Sequence, residues 1–101
     1  MNLDRLTEAR RLATERRWSV LGDLGATLDD AAAPANPELA YLVADAMRRT
    51  GAVSAAFGLA RIGAAGAERQ GDMRLRLRTT NLIGMLEYES GNLAAAEDHF
   101  E

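Results

Sequence analysis

The chain has 101 residues, Lys+Arg 12 against Asp+Glu 15 and a formal net charge of -3, and every basic residue is arginine. This near balance gives no electrostatic case for nucleic acid or an anionic membrane as partner, and the length bounds the chain to a single domain. Cysteine is absent, which excludes a disulfide frame, a thiolate zinc site and a thiol nucleophile.

Alanine, leucine and arginine dominate while β-branched and aromatic residues are few, so propensity favours helix nearly throughout and no segment alternates as a strand would. The first helix is expected over residues 3–16, with Leu3, Leu6, Ala9, Leu12 and Ala13 inward and Asn2 as its cap. Arg17 and Trp18 mark a break. From Trp18, the residues Leu21, Leu24 and Leu28 recur at helical spacing as far as Asp29 and Asp30, where a linker carrying Pro34 begins. Asn36 can then cap a helix that has Pro37 at its first position, where a missing N–H costs nothing. That helix bears Leu39, Leu42, Val43, Ala46 and Met47 and stops at Gly51. A partner follows from about Val53 to Arg69, with Val53, Ala56, Phe57 and Ala60 inward, and ends near Gly71. The next helix carries Leu75, Leu82, Ile83 and Leu86 and is expected to stop at Ser90 and Gly91, with a last one starting near Leu93.

Gly51 and Gly91, forty residues apart, have matching surroundings. Ala44 and Gly84 each stand seven residues before a glycine, Ala56 and Ala96 five after it, and Ala60 and Phe100 nine after it. Small residues in this order fit helix pairs that approach closely. Ala44, Gly51, Ala56, Ala60, Gly84, Gly91, Ala96 and Phe100 are therefore the expected packing positions. A weaker copy starts at Arg17, where Gly22 and Ala26 keep the offsets of Ala56 and Ala60.

The run from Thr80 through Ile83, Gly84 and Glu87 to Gly91, Ala96 and Phe100 resembles the tetratricopeptide repeat pattern, in a 34- and 40-residue bacterial variant. It departs from that pattern at Thr80, which stands in place of an aromatic residue, and at Tyr88, which comes one residue late. The resemblance implies an all-α fold of antiparallel helix-turn-helix units, 16–50 and 51–90 with an incomplete unit at 91–101, stacked as a right-handed solenoid. It implies a bacterial, cytoplasmic, non-enzymatic protein without cofactor or metal. A protein or peptide partner would lie along a concave face formed by Tyr41, Asp45, Arg48 and Arg49 with Arg78, Asn81, Met85 and Tyr88. Tyrosine offers amphipathic contact area and arginine grips carboxylates, which suits such a partner.

Further expectations follow. A stack that stops inside a repeat leaves an apolar end near Phe100, so the chain is expected to be the N-terminal part of a larger protein or to form a homodimer through that end. The alternative function is the sensory, ligand-binding region of a transcriptional or signalling regulator. His99 is read as a surface residue rather than a metal ligand, and Arg74, Arg76 and Arg78 as spread around a helix. The apolar run from Gly51 to Ala67 contains Arg61 and is too short to span a membrane.

Overall fold

The computed structural model describes residues 5–28 and 35–99, with side chains only as far as Gly91 in the last helix. Among these the fold is all helical: α1 (Arg5–Thr14), α2 (Trp18–Asp23) continued by a tight 3-10 turn (Leu24–Thr27), α3 (Pro37–Arg49), α4 (Val53–Gln70) and α5 (Met73–His99). The molecule is elongated, 54 × 28 × 24 Å. No helix among the described residues is long and apolar enough to cross a membrane.

Three helices end in the same way. At each, one residue takes the left-handed conformation and two backbone bonds close the last turn. Gly51 (φ 93°) ends α3, with its own N–H donated to the Arg48 carbonyl and that of Ala52 to Met47. Gly71 (φ 69°) ends α4 through bonds to Glu68 and, from Asp72, to Ala67. Arg16 (φ 57°) ends α1 through Ala13 and, from Arg17, through Leu12, although it bears a side chain. Reversal in so few residues lays each following helix against the one before. Asp72 then caps α5, its carboxylate accepting the Leu75 N–H at 3.0 Å. Asn36 does not cap α3 with its side chain, as the sequence suggested; its carbonyl accepts the first helical bond, from Ala40.

α3 is the central element, with α1 and α2 on one side and α4 and α5 on the other. On the first side Leu39, Val43 and Ala46 pack with Ala9, Leu12 and Leu21, all buried. Each fully buried leucine here contributes about 1.5–3 kcal/mol relative to exposure. The second side is built from small residues. Ala44, Ala56 and Ala60 are fully buried and cluster with Leu82 and Leu86 of α5. At Gly63 a β-carbon would come within 3.3 Å of the Pro37 carbonyl oxygen and 3.5 Å of the Ala40 methyl. Backbones can pass this closely only where side chains are absent or minimal.

Two expectations are corrected. α5 runs without a break to His99, so Gly91 lies inside a helix and is not a second copy of the Gly51 turn. Gly84 faces solvent with open space around it and is not a packing position. Ala96's side chain and Phe100 lie outside the described residues. The buried seam of α5 is instead Leu75, Thr79, Leu82 and Leu86. The hydroxyl of Thr79 donates to the carbonyls of Leu75 and Arg76, which satisfies a polar group at zero exposure.

Glycine substitutions separate these roles. Gly91→Ala should stabilise by about 0.5–1 kcal/mol through helix propensity, whereas Gly51→Ala should cost about 1–2 kcal/mol in the left-handed conformation. Urea titrations of both variants give the signs, and a destabilising Gly91→Ala would contradict the continuous helix. In the same assay Gly63→Val should cost about 1–3 kcal/mol by forcing α3 from α4, while Gly58→Ala, where nothing lies within 4 Å, should stabilise.

Candidate functional site

Buried residues occupy more than half the circumference of α3, which leaves Glu38, Tyr41, Asp45, Arg48 and Arg49 on the remaining face. Their charges match the helix ends, with Glu38 in the first turn and Arg48 and Arg49 in the last. All but Asp45, which pairs within α3, are also tied to a neighbouring element. Arg10 of α1 grips Glu38 with two parallel bonds, Nε to Oε2 at 2.7 Å and Nη2 to Oε1 at 2.8 Å. Asp45 accepts from Arg48 at 3.3 Å and from Arg49 at 3.1 Å. Arg48 reaches onward to Glu89 of α5 at 3.1 Å.

The Asp45–Arg48–Glu89 chain is the best protected of these. Asp45 and Arg48 keep only 15% and 16% of their side-chain exposure, so solvent screens them less than an ordinary surface pair. One donor is unused: Nε of Arg48 is buried and has no acceptor among the described residues. Arg49 turns the other way, its guanidinium 4.4 Å above the Trp18 ring, which joins the end of α3 to α2.

Tyr41 is half-buried and packs against the alanine and leucine cluster between α3, α4 and α5. Burial is the main cause that raises its hydroxyl pKa; the Asp45 charge adds to this, while Arg78, Arg49 and Arg48 oppose it. The carboxyl of Glu38 is held below its ordinary range, first by the hydrogen bonds from Arg10. Partial burial works against that, and the charges of Arg10 and Arg78 reinforce it against Asp72. Arg78 therefore acts on both Tyr41 and Glu38 across the α3–α5 boundary.

The structure sorts the residues expected on a concave face. The Arg48 bond marks the side of α5 that looks toward α3, and Arg78 and Met85 share that side with Glu89 at spacings of seven and four. Tyr88 is 70% exposed and lies a step further round, with Leu77 and Gly84. Asn81 falls between the two sets. Arg49 belongs to the edge near Trp18. Sequence reasoning missed Arg10 and Trp18, because each meets its partner only across helices and no spacing signals it.

Two crevices beside Glu38 are small. One of about 160 Å³ lies beside Pro37, Glu38, Gln70 and Asp72, and one of about 80 Å³ beside Glu38, Arg74 and Arg78. A larger concavity, about 750 Å³, is an open depression over Thr80, Asn81, Gly84, Met85, Tyr88 and Glu89, all on α5. No group of His, Asp or Glu among the described residues is placed to hold a metal ion. No family model, curated protein or solved structure matches the chain.

The Glu38 pair gives a pH-dependent contribution with a defined sign. A carboxyl with a depressed folded-state pKa adds stability above its unfolded value, about 4.3, and loses it as pH falls through the folded value. Glu38→Gln should therefore cost up to about 1 kcal/mol at neutral pH, limited by solvent screening, and nothing once the carboxyl of the parent is protonated. Urea midpoints of parent and variant from pH 7 to strongly acid solution give the comparison, and a constant difference would contradict the assignment.

Proposed function

We propose that the chain is a non-enzymatic interaction module of tetratricopeptide type, a right-handed stack that recognises a protein or peptide along the face shared by α3 and α5. The observation that carries this reading is the Asp45–Arg48–Glu89 chain, which holds the two helices side by side and keeps Tyr41, Arg78 and Met85 on one continuous surface. That surface combines an aromatic hydroxyl, a guanidinium without an ion pair among the described residues, a thioether and bordering carboxylates. These are the groups that give affinity and orientation to a peptide laid across helices. The unused Nε–H of Arg48 adds a donor that a partner's carbonyl or carboxylate would satisfy.

A macromolecular partner is favoured over a small ligand because the two crevices beside Glu38 fall below the roughly 300–1,000 Å³ of ordinary ligand pockets. The larger concavity is walled by a single helix among the described residues, so it suits a chain lying along it better than a molecule held inside it.

A displayed library of helical and extended peptides, screened against the chain and measured by fluorescence anisotropy, tests the proposal. Binders should weaken at least about tenfold, or 1.4 kcal/mol, on the combined substitution Tyr41→Phe, Arg78→Ala and Met85→Ala, with Arg69→Ala as a control at the far end of α4. Binders indifferent to the triple variant, or none at all, would count against this surface.

A further inference from the structure

α5 carries a second stripe, opposite its buried seam. Four of the five large apolar side chains exposed among the described residues are on this one helix: Met73 at 67%, Leu77 at 65%, Met85 at 43% and Tyr88 at 70%. Leu77, Gly84 and Tyr88 follow one another at steps of seven and four, the repeat of a helix-to-helix seam, and Asn81 fills the step between. The buried residues Leu75, Thr79, Leu82 and Leu86 lie diametrically across the helix axis, so the stripe looks away from α3 and α4.

The charges on α5 are segregated along its length. Arg74, Arg76 and Arg78 occupy the first turns, and Glu87 and Glu89 lie past the middle, with Glu97 and Asp98 further on in the sequence. The arginines at the start of the helix oppose its dipole, which favours acids there. Among the described residues Arg74, Arg76 and Glu87 form no ion pair that would offset this.

We propose that this stripe is the seam of an antiparallel homodimer, in which α5 of one copy lies against α5 of a second. The commitment to a second copy rests on charge complementarity, because an antiparallel partner sets the basic first turns of one helix beside the acidic half of the other. Two parallel copies would set like charge beside like. The register that opposes Leu77 to Tyr88 of the second copy also opposes Asn81 to Gly84. It brings Arg76 and Arg78 level with Glu87 and Glu89. Gly84, with open space where a β-carbon would project, lets the two backbones approach at the centre. The apolar seam of Leu77, Gly84 and Tyr88 uses neither Tyr41 nor Met85, and only Arg78 and Glu89 border both surfaces, so the substitutions at Leu77 and Tyr88 report on the dimer separately from the peptide surface.

Sedimentation equilibrium of the chain at tens of micromolar tests association, with twice 10.9 kDa expected. The double variant Leu77→Glu, Tyr88→Glu should be monomeric with unchanged helix content by circular dichroism. Direction is read by disulfide trapping, which is clean because the chain has no cysteine of its own. Leu77→Cys mixed with Tyr88→Cys should cross-link under mild oxidation, whereas Leu77→Cys alone should not. In the proposed register its two copies sit about 16 Å apart along the axis, beyond the roughly 7 Å between α-carbons that a disulfide spans. A monomer at every concentration would overturn the proposal and leave the stripe to a different chain or a further segment of this one. So would a dimer that survives the double variant, or self-linking of Leu77→Cys as efficient as the mixed pair.

Discussion

The backbones of α3 and α4 pass so close together that an added β-carbon at Gly63 would touch the carbonyl of Pro37, and the arrangement of every other helix follows from that approach. Ala40, Ala44, Ala56, Ala60 and Gly63 are buried along this seam, and none offers a side chain larger than a methyl group. Little apolar area is gained per residue there, so the seam is held by close packing over its length. The larger contributions come from Leu12, Leu21, Leu39 and Val43 on one flank of α3, and from Leu82 and Leu86 on the other. α3 has no solvent-facing back. Its one free strip is the strip that carries Glu38, Tyr41, Asp45, Arg48 and Arg49.

Because that strip is narrow, its charged residues serve two purposes. The Arg10–Glu38 and Arg48–Glu89 pairs link α3 to α1 and to α5 at the surface. Exposed pairs of this kind are worth little individually, but they restrict how the helices slide past one another. Arg48 differs from the rest. Its guanidinium is largely buried, contacts two carboxylates and still has one N–H without an acceptor, a costly state for a group of that polarity.

Much of the fold was legible before any coordinates. Pro37 at the start of α3, the turns at Gly51 and Gly71, and the inward set Val53, Ala56, Phe57 and Ala60 follow from steric rules that need no tertiary context. Gly91 was misread for a physical reason. A glycine permits a reversal but does not compel one, and reversal is worthwhile only when a second helix packs back. Extending α5 through Gly91 adds residues to a nucleus already formed, whereas a reversal there would have to nucleate a new helix. Arg16 is the converse case. It adopts the left-handed conformation that glycine would take more readily, and nothing in its residue type announces a turn. The face on α3 was visible as a spacing, but its division into Arg49 near Trp18 and Arg48 toward Glu89 depends on which helices come alongside.

Trp18, the only tryptophan, sits beneath Arg49 at the end of the molecule built from α1, α2 and α3, and Tyr41 sits in the cluster shared with α4 and α5. The two ends are joined chiefly by α3, with Leu59 of α4 reaching the first cluster. Indole emission therefore follows the undocking of α2 from the end of α3, which gives the molecule an optical reporter at that end. Fraying that starts there is visible without attaching a dye to the protein.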